Sequence, residues 1–172
     1  MSPTRNVSGA SPAELAARVL AAAKARGNAT LACAESCTGG TVASALTDVP
    51  GASAVFRGGV VAYSVAVKRS ALGVPAETLA RFGVVSRECA EAMARGAART
   101  LGADFAVATT GVAGPGPQDG VPAGTVCIAV AAPDATFSET VFFPGETRER
   151  VKSLASRAAL GLLADVLSGK EK

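Results

Sequence analysis

A chain of 172 residues, 49% hydrophobic and 18% charged, is long enough to bury a full core as one domain and too apolar for disorder. Its net charge of +3 is spread along the chain, and with no Trp and a single Tyr it lacks the basic face and stacking aromatics of a nucleic-acid module. There is no His, and Cys33, Cys37, Cys89 and Cys127 form no CxxC pair, which argues against a zinc site and excludes any histidine-based nucleophile within the chain.

No apolar run approaches the ~18 residues of a membrane span. The opening MSPTRNVSGASPAE has no apolar signal core, so residues 1–10 read as a disordered tail. A cytoplasmic location with reduced thiols, and neither membrane nor nucleic acid as partner, is the expectation.

Residues 12–26 (PAELAARVLAAAKAR) put Leu15, Val19, Leu20 and Ala23 on one helical face, with Ser11 and Glu14 as a capping box and Gly27 as the stop. Ala29–Cys33 reads as a strand that runs into the turn AESCTGG, and TVASALTDV as a helix ending before Pro50. A second strand is expected over Gly58–Tyr63, then helical pieces over Ser64–Leu72 and Pro75–Phe82. Ser86 caps a long helix reaching Thr100, with Cys89, Met93 and Ala97 inward. Asp104–Thr109 is a third strand. It feeds a loop, Thr110–Gly124, that carries five glycines and three prolines. Thr125–Ala131 and Phe137–Phe143 form a hairpin around Pro133-Asp134, and Thr147–Leu167 closes the chain as a helix.

Helices and strands that alternate and then end in a hairpin imply a three-layer α/β/α sandwich with a mixed sheet. One domain over residues 11–168 is expected, with 169–172 as a C-terminal tail. Ligands in such sheets gather beyond the strand C-termini, where the turns at 34–40, 63–68 and 110–124 can meet.

Ser36 stands in the turn between the first strand and the next helix. Either it or Thr38 suits a helix N-cap, and Cys37 is a rival nucleophile or a small buried hydrophobe. Without His, a serine nucleophile needs Lys, Tyr or a carboxylate as its base. Only five of the 17 basic residues are Lys, and Lys68 is the only one between residues 25 and 151. Arg cannot give up its proton, whereas a partly buried Lys can. A Lys in a chain that otherwise prefers Arg, five residues after the sole tyrosine Tyr63, is a base candidate. The alternative is a solvated helix Lys beside a space-filling Tyr. The loop at 110–124 lets backbone N–H groups approach an anion, but it matches neither GxxxxGK[ST] nor GxGxxG.

The segments AESCTGG, GGVVAYSVAVK, GVVS and TTGVAGP, in this order and spacing, resemble the family of the CinA C-terminal domain from about Leu15 to Leu163. Characterised members of that family are nicotinamide-nucleotide amidohydrolases with a five-stranded mixed sheet. The resemblance implies a Ser-Tyr-Lys set, here Ser36, Tyr63 and Lys68. It also implies deamidation of nicotinamide mononucleotide to nicotinic acid mononucleotide and ammonia, with no metal or organic cofactor. Backbone N–H groups at Thr38, Gly39 and Gly40 would then face the oxyanion. Thr110, Gly111, Ala113 and Gly114 would hold the ribose and phosphate, aided by Arg148 or Lys152 from the last helix, of this chain or of a partner subunit in a homo-oligomer (dimer or higher). Where the family commonly has GIAGPxGG and then KPVGTV, this chain has GVAGPGPQDGVPAGTV. A stand-alone form is implied, since the molybdopterin-binding-like domain of longer members does not precede the module. Two alternatives remain open: a non-catalytic nucleotide-binding domain of the same fold, and a Ser-Lys hydrolase of another substrate such as a peptide or ester.

Overall fold

The computed structural model describes residues 9–170. Ala10 packs against the core, so the expected tail at 1–10 is anchored at its end, while residues 1–8 lie outside the described residues. Six α-helices and five strands follow the expected order. They are α1 (Pro12–Ala25), β1 (Leu31–Glu35), α2 (Thr41–Thr47), β2 (Phe56–Val61), α3 (Val65–Leu72), α4 (Ala76–Phe82), α5 (Arg87–Leu101), β3 (Phe105–Gly111), β4 (Thr125–Ala131), β5 (Thr136–Phe142) and α6 (Arg148–Leu167).

Local chemistry sets most boundaries. The α1 capping box is formed as expected, Ser11 Oγ accepting from the Glu14 amide while the Glu14 carboxylate takes the Ser11 amide. Ser64, Ser86 and Thr147 cap α3, α5 and α6 through their hydroxyls. The first strand begins two residues later than expected, because Thr30 is tied by amide and hydroxyl to the Asp104 carboxylate at 2.7 Å each. It then continues through Glu35, a charged residue whose carboxylate is fully engaged, as described below.

The sheet order is β2-β1-β3-β4-β5. β1 pairs in parallel with both β2 and β3, and β3-β4-β5 are antiparallel, giving the mixed five-stranded sheet. Side chains alternate across it. Leu31, Cys33, Phe105, Val107, Val126 and Ile128 face α1, α2 and α6. Ala32, Ala34, Ala106, Ala108, Ala129 and Ala131 face α3 and α5. One face is therefore branched and bulky and the other almost wholly methyl, which lets α5 lie close to the strands.

The three parallel strands end at one edge of the sheet. Glu35 is level with Val61 on one side and with Thr109 on the other. The ladder runs one step further, Ser36 N–H donating to Thr109 O and Ala62 N–H to Glu35 O. Ser36, Ala62 and Thr110 are thereby brought side by side.

Candidate active site

Beyond that edge lies a cavity of about 480 Å³. Ser36, Tyr63, Lys68, Thr110, Gly111, Ala113, Gly114 and Arg148 all line it, so eight of the residues singled out from sequence converge on one space. Lys68 is the central group. The first turn of α3 carries it inward, and it is 2% exposed. Its Nζ lies 2.8 Å from Ser36 Oγ and 2.7 Å from the carbonyl oxygen of Ala62. The carbonyl accepts a hydrogen bond from Nζ, which holds the nitrogen against Ser36. Burial pushes the Lys68 pKa below its ordinary value, and the groups that oppose this weakly are the Cys89 and Cys37 thiols. An amine with a lowered pKa in contact with a serine hydroxyl has the geometry that general-base activation uses.

Cys37, the rival nucleophile, also lines the cavity. Burial pushes its thiol up to about 12, so it stays protonated at neutral pH and is a poor nucleophile.

The turn that presents Ser36 is built differently from the sequence expectation. Neither Ser36 nor Thr38 caps α2, whose N-cap is Gly40 in the left-handed region. The cap is supplied by Glu35, 1% exposed, whose carboxylate accepts from the amides of Gly40 (2.9 Å), Val42 (3.1 Å) and Ala43 (2.8 Å) and from the Thr38 hydroxyl (2.7 Å). Thr38 Oγ also pairs with Thr109 Oγ at 2.7 Å. An anion at a helix N-terminus needs these donors to be buried without loss. Thr38, Gly39 and Gly40 are not among the residues that line the cavity, and the Gly40 amide is committed to Glu35. The two glycines serve the turn instead, with φ of 65° and 101° at Gly39 and Gly40. Sequence alone does not single out Glu35. Its signal was a carboxylate at the end of an otherwise apolar strand.

Tyr63 is 63% exposed, and its hydroxyl accepts from Arg148 Nη2 at 2.9 Å. Arg148 Nη1 donates to Gly114 O at 2.7 Å. The guanidinium thus bridges the β2–α3 turn and the glycine-rich loop within one chain. Lys68 reaches Ser36 directly, without Tyr63 between them. Thr110 gives its hydroxyl proton to Val84 O at 2.6 Å, pinning the GVVS segment to the cavity wall. Lys152 lies elsewhere: its Nζ rests over Gly39, beside a second cavity that shares Arg148 with the first.

Fold and site together define an α/β sandwich in which a buried lysine, in place of a histidine, faces a serine at the carboxyl edge of the parallel strands. The family model for the CinA C-terminal domain matches residues 12–167. A CinA-like protein of Frankia casuarinae is 53% identical over 142 residues, covering 83% of this chain and 33% of that protein. A putative competence-damage inducible protein of Desulforamulus reducens is 50% identical over 141 residues, 82% of this chain and 34% of its own length. The chain spans about a third of the length of the curated relatives it matches. Among solved structures, a competence-damaged protein (CinA) superfamily protein of Klebsiella pneumoniae superposes with a TM-score of 0.88 at 40% identity, over 93% of this chain and 99% of that one. A competence/damage inducible protein of Agrobacterium tumefaciens superposes with a TM-score of 0.86 at 38% identity, over 98% and 99%. This chain belongs to the CinA family, and it is the C-terminal domain of that family that it matches.

Proposed function

We propose that this domain is an amidohydrolase that converts nicotinamide mononucleotide to nicotinic acid mononucleotide and ammonia. The observation that carries the reading is the buried Lys68 Nζ at 2.8 Å from Ser36 Oγ, opening on a cavity bordered by the glycine-rich loop and Arg148. Neutral Lys68 takes the Ser36 proton as Oγ bonds to the carboxamide carbon. The protonated amine then returns that proton to the departing nitrogen, and ammonia leaves an ester on Ser36. Water, activated by the same amine, adds to the ester, and the acid is released with Ser36 restored. For the oxyanion we assign the amide of Cys37 in place of the Thr38–Gly40 amides, since it directly follows the nucleophile and its residue borders the cavity. One such donor is worth ~3 kcal/mol in the transition state. Arg148 and the loop amides near Gly114 suit the phosphate.

The test is ammonia release by the purified protein with nicotinamide mononucleotide and, separately, free nicotinamide. The nucleotide is expected to be turned over with far higher kcat/KM, because remote phosphate contacts position the carboxamide. Ser36→Ala and Lys68→Met should each lose ~100-fold or more in kcat while staying folded. Equal kcat/KM for the two compounds, or an active Ser36→Ala protein, would remove the reading.

A further inference from the structure

The substrate proposed above is a zwitterion: its phosphate is anionic and its pyridine ring, quaternised by the ribose, is a cation. The cavity handles only the first of these charges by ordinary pairing. Its charged side chains are Lys68 and Arg148, and no Asp or Glu is among the described residues that line it. The buried carboxylate of Glu35 is saturated by five donors: the Cys33 thiol, the Thr38 hydroxyl and the amides of Gly40, Val42 and Ala43. A pyridinium placed where Ser36 can reach its carboxamide therefore needs a neutral partner that attracts cations.

One side chain fits. Tyr63 is the only aromatic residue lining the cavity, the remaining wall being aliphatic at Val65, Val84, Val85 and Val112. Its ring is 63% exposed. Cations of the chain lie over the rings of Phe105 and Phe82, and none lies over Tyr63 among the described residues. The hydroxyl accepts from Arg148, which holds that end of the side chain.

We infer that Tyr63 is a specificity-determining residue, whose ring face holds the cationic pyridinium of the substrate while Arg148 holds the ring edge in place. This rests on the proposed nucleotide reading and adds to it the ring charge as the selected feature. A cation over an aromatic face gains ~0.5–2 kcal/mol, according to how well water is excluded.

The experiment compares binding of nicotinamide mononucleotide with that of its reduced form, whose dihydropyridine ring keeps the carboxamide and phosphate but carries no charge. Binding is measured by calorimetry in a Ser36→Ala background, where neither compound is consumed. The ratio of the two Kd values cancels phosphate contacts and general damage to the site. The Ser36→Ala protein should prefer the oxidised form. Adding Tyr63→Leu should collapse that preference by about fivefold or more, and Tyr63→Phe should keep it within about twofold. An unchanged ratio in Tyr63→Leu overturns the inference and leaves the nucleotide reading standing. A folded Ser36→Ala protein that binds neither form overturns the nucleotide reading and this inference together.

Discussion

Lys68 is a cation by default that has been placed where a cation is poorly solvated. Its hydrogen-bond partners are a hydroxyl and a carbonyl, and the ionisable groups that face it are Cys89 and Cys37. Burial pushes those thiols up, to about 11 and about 12, so neither offers a negative charge at neutral pH. The sign of the consequence follows from the depressed Lys68 pKa. Between the folded value and the unfolded ~10.4, the unfolded chain binds the extra proton, so stability rises with pH through that window. Lys68→Met removes the group and keeps a similar length. It should be more stable than the parent at pH below the folded pKa, with the advantage shrinking as pH climbs toward ~10.4. Urea unfolding of both proteins across this range measures it, and a constant difference would mean that Lys68 titrates normally. The parent's kcat/KM for the nucleotide should fall tenfold per pH unit below the same folded pKa, since only the neutral amine can act as base.

At the level of elements, the alanine face under α5 decides how tightly α3 is held. α5 presents Gly96 to the end of α3, and a Cβ at that position would sit 2.1 Å from Leu72 O and 2.9 Å from Leu72 Cβ. The neighbour is backbone and cannot swing aside. Gly96→Ala gains ~1 kcal/mol of helix propensity but forces the two helices apart, and overpacking of this kind costs ~1–3 kcal/mol or more. A net loss is expected, with Tm lower by ~2–4 °C per kcal/mol in a chain of this size. Leu72 is one turn beyond Lys68, so kcat should fall as well, through a looser Ser36–Lys68 contact. A thermal scan beside an ammonia assay checks both, and an unaltered Tm would show that the helices have room. Nothing in the sequence announces this glycine, because a small residue inside an amphipathic helix has no periodic signature. The helices themselves were legible, since Ser11, Ser64, Ser86 and Thr147 sit where caps belong and apolar spacing follows each. The α2 start was not, because its cap comes from Glu35, five residues before the Gly40 N-cap, across a turn that local rules do not span.

Over the whole molecule, the layered sandwich could be read from the alternation of elements, and the gathering of Ser36, Lys68 and the glycine-rich loop from the rule that ligands collect at the ends of parallel strands. The partners within that gathering could not. The Tyr63–Arg148 and Arg148–Gly114 hydrogen bonds join segments 85 and 34 residues apart, and no sequence spacing encodes such distances.

The division of the sheet into a parallel and an antiparallel half also sets an order of assembly. β4 and β5 follow one another directly and close through a short turn, whereas β1 and β3 meet across the Thr30–Asp104 tie, 74 residues apart. Closing the larger loop fixes more chain before contacts reward it, so the hairpin half should form first and the parallel half last. Ser36 and Lys68 belong to the late half. Pulse-labelling exchange during refolding should show amides of Thr125–Phe142 protected before those of Leu31–Val61, and simultaneous protection would refute the order. A refolding chain would then pass through a state with a well-formed hairpin and an unmade Ser36–Lys68 contact: part of its strand signal already present to a spectroscopic probe, and silent in an assay.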